Sequence, residues 1–408
     1  MALIMSLLLN NIVNRSYCLG CGLCASLAAR DAVEMVAAPD GFLVPRVKTA
    51  EADLSFLREV CPGIRIRREP ARDDARSIYG PFQSLHAAHA ADEAVRWRAS
   101  SGGVITALLL HLLETRQVDG VLQVGADPED PLRSRAVLSR TREEVIRCAG
   151  SRYAPASLLE GWKELMRSGL RVAVVGKPCD AAAVRNVLRL HPAWGEQVVC
   201  LVSFFCMGMP SRSGTQRLVE EMGAVPGDIR EFRYRGHGWP GKAAAVGPDG
   251  REYTCSYSDS WGKVLSRTVH FRCKICPDGF GGQADIACGD AWHDENGKPS
   301  FEERPGRSLV FVRTDTGAAL FRKALESGRV CAEPYPLEKL SVIQPSQVQR
   351  RIHVGARLAA LKLLGDRMLR FTGFRMLHHL RRSTIRLTAW NFWGMLQRRL
   401  KWKGPAKV

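Results

Sequence analysis

Three cysteines stand three residues apart in Tyr17-Cys18-Leu19-Gly20-Cys21-Gly22-Leu23-Cys24. A Cys-x2-Cys-x2-Cys run wraps one loop so that three thiolates reach three irons of a 4Fe-4S cube. Gly20 and Gly22 permit the tight backbone. The rival ligand, structural zinc, more usually takes paired Cys-x2-Cys units. The bacterial four-cysteine run continues with a Cys-Pro three residues on, but Ala28 and Ala29 stand there. Cys61, in Val60-Cys61-Pro62-Gly63, is the one nearby cysteine that can replace it, and it carries the trailing proline of a cluster ligand. The expectation is one 4Fe-4S cluster on Cys18, Cys21, Cys24 and Cys61.

A second group lies far along the chain. Cys273-Lys274-Ile275-Cys276-Pro277 is another Cys-x2-Cys with a trailing proline. By itself it fits half a zinc site or a redox dithiol equally well. Cys179 and Cys206 follow expected strands, at the sheet edge where α/β proteins bind ligands. Cys288, in Ala287-Cys288-Gly289-Asp290, is a fifth candidate, and spacing does not rank five candidates for four places. Cys148, Cys200, Cys255 and Cys331 read as ordinary buried thiols.

Length allows about two to three domains. Hydrophobic residues at 46% and charged residues at 25% are ordinary for a globular protein and exclude disordered, collagenous and multi-span membrane classes. Thirteen cysteines, an odd number, without a secretion signal fit a reducing cytosol. The apolar start, Met1 to Asn10, lacks a basic n-region and reads as a short buried or fraying segment.

The expected architecture is α/β: a ferredoxin-like iron–sulfur module at 1–75, a mostly parallel α/β core at 76–345, and a helical basic tail at 346–408. Apolar periodicity predicts helices over Val104–Glu114, Leu158–Ser168 and 180–190. Short apolar runs predict strands at Val118–Val124, Arg171–Gly176 and Val198–Phe205. Residues 228–320 read as β-rich.

The net charge of +18 is not evenly spread. From Arg350 to Val408 there are fifteen Lys/Arg and one acid, Asp366, which is 15 − 1 = +14 in the last 59 residues. Trp390, Trp393, Leu396 and Leu400 recur at helical spacing among Arg398, Arg399, Lys401 and Lys403, with Trp402 beyond. This predicts a basic amphipathic helix that either packs on the body or meets a partner or membrane surface through 376–408. No nucleic-acid recognition fold accompanies the charge, so nucleic acid is not the expected partner.

Together these stretches resemble the coenzyme F420 hydrogenase/dehydrogenase beta-subunit family, which includes reductases of chlorophyll-type tetrapyrroles. The resemblance runs from about residue 17 to 375. It rests on the Cys18–Cys24 run, Cys61-Pro62-Gly63, Arg98-Ala99-Ser100-Ser101-Gly102-Gly103, Gly176-Lys177-Pro178-Cys179, Phe205-Cys206, and Cys273-x2-Cys276-Pro277-Asp278 with Ala284-Asp285-Ile286 and Gly289-Asp290. It implies an iron–sulfur flavoprotein, with FAD beside a cluster on Cys179, Cys206, Cys273 and Cys276 and with Cys288 in reserve. Ser100, Ser101, Gly102 and Gly103 would form the loop near FAD. A Ser-Ser-Gly-Gly before a helix offers hydroxyls and backbone N–H groups to a phosphate. Arg152, Tyr153 and Lys177 fit further flavin contacts or a solvated surface equally well.

Arg233-Tyr234-Arg235-Gly236-His237-Gly238-Trp239-Pro240-Gly241-Lys242 is the most substrate-like segment, with cations and aromatics suited to a planar anion. His237 is its expected proton donor. The expected function is oxidoreduction: electrons pass between ferredoxin or a partner subunit and an organic small molecule through two 4Fe-4S clusters and FAD. The rival reading is a non-catalytic electron-transfer subunit docked to a larger complex or membrane by its tail. The expected location is the cytoplasm, with the inner membrane face as a peripheral alternative.

Overall fold

The structure is a computed structural model and describes residues 2–29, 31–49, 52–69 and 78–401. Its centre is an eight-stranded sheet. The strands are β1 (Ser84–Ala90), β2 (Gly120–Ala126), β3 (Ser134–Ser139), β4 (Val172–Gly176), β5 (Val198–Phe204), β6 (Ile286–Asp290), β7 (Ser308–Val312) and β8 (Val330–Pro334). They lie in the order β8-β1-β7-β6-β5-β4-β2-β3. At the centre β2, β4, β5 and β6 run parallel. Antiparallel strands extend the sheet on both sides, β3 beyond β2 and β7, β1 and β8 beyond β6.

The parallel centre follows from strands buried on both faces, which read as near-continuous apolar runs. In β4 the alternation is direct. Ala173 and Val175 pack with Leu108 and Val121 on one face, and Val172 and Val174 with Trp162 and Val184 on the other. Helices cover both faces: α2 (Val104–Glu114), α3 (Pro178–Leu190) and α4 (Asp315–Glu326). The helix expected over Leu158–Ser168 is shorter, Trp162–Arg167. The residues before it are drawn onto the first cysteine loop, where Leu159 N–H donates to the Cys21 carbonyl at 2.8 Å.

The N-terminal segment is a full core element, the helix Ala2–Asn14. Met5, Leu8, Leu9 and Ile12 place one apolar stripe against Leu57, Phe271 and Ile275, and against the C-terminal helices Pro345–Leu363 and Ile385–Leu400. The rest of the module carries a hairpin, Val33–Ala37 with Leu43–Val47.

The expected tail boundary at 346 falls inside the helix Pro345–Leu363, whose Arg350, Arg351 and Val354 are buried. The lone tail acid is internal too. Asp366 is 5% exposed and takes hydrogen bonds from Tyr17 Oη and, at 3.0 Å, from Arg15 Nη1. The boundary at 75, together with Trp402 and Lys403, lies outside the described residues.

Candidate functional site

The carboxyl ends of β4, β5 and β6 open onto a cavity of about 520 Å³. Gly176, Phe204 and Asp290, the last residues of those strands, line it. This is the ligand-binding edge of a parallel sheet, and the volume suits a cofactor-sized molecule.

Ser100, Ser101, Gly103, Arg152, Tyr153 and Lys177 all line this cavity. Gly102 does not. It is pressed against the sheet, where its N–H donates to Ser308 Oγ at 2.9 Å and a Cβ would lie 2.6 Å from the Ala88 carbonyl oxygen. Both serine hydroxyls are engaged with the chain itself. Ser100 Oγ accepts from Ser151 N–H at 2.7 Å, and Ser101 Oγ donates to the Arg307 carbonyl at 3.0 Å. The feature that could take an anion is instead the start of α2, whose N-cap Gly103 (φ 76°) supplies no side-chain cap. Its first N–H groups face the cavity side with the positive end of the helix dipole.

Arg152 is a clamp rather than a free cation. Its Nε donates to Ser134 Oγ at 3.0 Å, and Nη2 to the carbonyls of Pro131 and Arg133 at 2.8 and 2.7 Å. Burial pushes its pKa down. Lys177 pairs with Asp180 at 2.8 Å. Burial opposes its charge, but Asp180 and the thiols of Cys179 and Cys206 outweigh that and hold its pKa above the ordinary value.

The segment 233–242 does reach the cavity, but through Arg235. His237 is exposed, sits in a left-handed backbone conformation (φ 55°) and is not part of the lining. Its place does not suit the proton-donor role expected for it. Arg235 is 4% exposed and forms a fork with Asp290, both bonds 2.9 Å. Its guanidinium lies 4.6 Å from the Tyr257 ring centre and 5.4 Å from that of Trp292, and Trp292 stacks on Trp239 at 4.7 Å. Burial works against the Arg235 charge, and Asp290 more than restores it. Residues far apart in sequence thus build one wall of cation and aromatic faces.

The first cysteine set surrounds a small apolar cavity. Cys18, Cys21, Cys24 and Cys61 all line it, with Leu9, Ile12 and Leu57 behind them. Gly22 and Gly63 make the close approach. A Cβ on Gly22 would lie 2.7 Å from Glu160 N, and one on Gly63 would lie 2.4 Å from the Tyr17 carbonyl oxygen. Burial pushes the Cys18 thiol up to about 12 and Cys21, Cys24 and Cys61 upward as well. Thiolates in this dry pocket need a compensating cation, and a bound iron cluster supplies one. Among the described residues no three His, Cys, Asp or Glu side chains converge on a point suited to a single metal ion. A 4Fe-4S cube needs thiolates at separate corners.

The second set assembles from three loops. Cys179 opens α3, Cys206 follows β5, and Cys273 and Cys276 lie on the turn Phe271–Ile275 and just after it. Burial raises the Cys179, Cys206 and Cys273 thiols, and the neighbouring thiols of the same set raise each further. Cys288 lines the large cavity together with Cys206. It is on β6, in the sheet core, and is pushed up to about 12 by burial alone.

Three positions were not legible in the sequence. Arg350, inside the basic stretch, donates to the carbonyls of Cys206, Met207 and Cys273 and ties the second set together. Cys148 lines the large cavity, and Cys331 is exposed instead of buried.

Residues 85–162 match the family model described as coenzyme F420 hydrogenase/dehydrogenase, beta subunit N-term, and residues 169–337 match the C terminus of the same subunit. The coenzyme F420 hydrogenase subunit beta of Methanosarcina barkeri is 28% identical over 268 residues, covering 64% of this chain and 84% of that protein. The 7-hydroxymethyl chlorophyll a reductase of Oryza sativa is 23% identical over 398 residues, 92% of this chain and 79% of that protein. A chain of the F420-reducing NiFe hydrogenase complex from Methanosarcina barkeri shares the fold, with TM-score 0.54 and 24% identity over 70% of this chain and 93% of that one.

Proposed function

The chain belongs to the coenzyme F420 hydrogenase/dehydrogenase beta-subunit family, and on that basis we propose that it is an iron–sulfur flavoprotein oxidoreductase with two 4Fe-4S clusters and one FAD. Cys18, Cys21, Cys24 and Cys61 hold one cluster. Cys179, Cys206, Cys273 and Cys276 hold the other. The observation that carries the reading is the double role of Cys206, which belongs to the second cysteine set and also lines the large cavity. When bound, the clusters supply one-electron transfer and FAD supplies hydride transfer.

The chain's own residues do the holding. The α2 N-terminus takes the phosphates, and Lys177, fixed by Asp180, sets a positive charge between the cavity and the second cysteine set. Arg235, with Tyr257 and Trp292, receives a planar, anionic organic substrate. Relatives are subunits by name, including the F420-dependent formate dehydrogenase subunit beta of Methanocaldococcus jannaschii. A partner subunit or ferredoxin is accordingly the other terminus for electrons.

The test is an anaerobic titration of the purified protein with reduced coenzyme F420, reduced ferredoxin and NAD(P)H. At least one donor bleaches both flavin and iron–sulfur absorbance if the reading holds. Flavin absorbance that no donor reduces contradicts it.

A further inference from the structure

The last described helix, Ile385–Leu400, turns the wrong face inward for its sequence. Met395 is fully buried and Phe392 and Leu396 pack beside it in the N-terminal core. The two tryptophans face away from the body: Trp390 is 73% exposed and Trp393 58%. Ile385 and Leu400, at the two ends, are 91% and 68% exposed. A helix buried by one face alone gains nothing from large apolar groups on the other.

Charge surrounds this apolar face. From Arg367 to Lys401 the sequence holds nine Lys/Arg and no acid. Arg398 and Lys401 at the helix C-terminus complement its dipole, which accounts for them on grounds of helix stability alone. Arg381 just before the helix and Arg386 in its first turn lie at the positive end of that dipole, where a cation is unfavourable. Both are exposed. Their placement is explained by an anion outside the chain.

We propose that this helix is an interfacial anchor that lies on a bilayer surface containing anionic lipid, with Trp390 and Trp393 at headgroup depth and Arg386 and Arg398 on the phosphates. Indole rings prefer that depth because one edge is apolar and the other carries an N–H donor. Cations at both ends with apolar bulk between them match a flat anionic interface. No described helix is long and apolar enough to cross a membrane, so the contact is with the surface. The inference is independent of the cofactors and of the substrate.

The experiment is co-sedimentation of the full-length, anaerobically purified holoprotein with vesicles of phosphatidylcholine alone or mixed with phosphatidylglycerol. Binding is expected to the mixed vesicles and not to phosphatidylcholine, and it weakens as salt is raised. Trp390→Ser with Trp393→Ser, and separately Arg386→Glu with Arg398→Glu, each weaken binding by about ten-fold or more. Iron and flavin content measured in parallel report that the variants are folded. Holoprotein that stays in the supernatant with phosphatidylglycerol vesicles at low salt overturns the proposal, as it would if the helix served an acidic protein partner instead. Binding that survives both double substitutions also overturns it.

Discussion

The Arg272 Nε donates to the Gly63 carbonyl at 2.7 Å, and its Nη2 donates to the Pro62 carbonyl at 3.2 Å. Arg272 is fully buried and sits one residue before Cys273, while Pro62 and Gly63 directly follow Cys61. One guanidinium therefore ties the two cysteine sets together. Its charge pulls the Cys61 and Cys273 thiols downward against the stronger upward effect of burial.

Replacing this residue with Met leaves two buried carbonyls without donors. Each costs about 1–3 kcal/mol, so Arg272→Met loses roughly 2–6 kcal/mol in an anaerobic denaturant titration. Arg272→Lys recovers only part of that, because an ammonium lacks the planar fork.

The cysteine assignments separate by iron analysis. Cys61→Ser and Cys206→Ser are each expected to lose about four irons, one cluster's worth. Cys288→Ser is expected to keep its full iron content, since Cys288 lies on β6 within the sheet core. Equal iron loss in Cys288→Ser and Cys206→Ser would move the second cluster toward β6.

The Arg235–Asp290 pair is buried and forked, so removing one partner strands the other. Arg235→Met and Asp290→Asn are each expected to destabilise by about 3–5 kcal/mol. Arg235→Lys keeps the charge and loses the stacked, planar contact with Tyr257. It raises KM for an anionic substrate more than it lowers kcat.

His379 is fully buried, and burial, with Arg351 beside it, pushes its pKa down to about 3. In the unfolded chain the ring titrates near 6.5. Below that pH the unfolded state takes a proton that the folded state refuses, so stability falls as pH drops from about 6.5 toward 3. Denaturant midpoints measured from pH 7 to 4 are expected to fall more steeply for the natural protein than for His379→Gln.

The parallel centre was legible because Val172–Gly176 is buried throughout and Val198–Phe204 is buried over Cys200–Ser203, and such apolar runs have few other uses. The edge strand Ser134–Ser139 carries an intermediate, partly polar pattern that reads as loop. The first cysteine set was legible because its ligands are local. In the second, five cysteines competed from separate segments, and spacing along the chain does not rank them. Arg350 was hidden by its neighbours, because a cation in a basic stretch reads as a solvated face. The Trp390 stripe left two readings open, a packing face or a surface for a partner or membrane, and it is Met395, on the other side of the helix, that packs. His237 and Arg235 lie two residues apart in one loop, and a left-handed turn decides which of them meets the cavity.

The most direct test of the two-cluster flavoprotein is the metal and flavin content of the protein purified without oxygen. The account predicts about eight irons and one FAD per chain, with acid-labile sulfide equal to iron. A preparation that holds zinc with no flavin, or about four irons unchanged by Cys61→Ser, contradicts it.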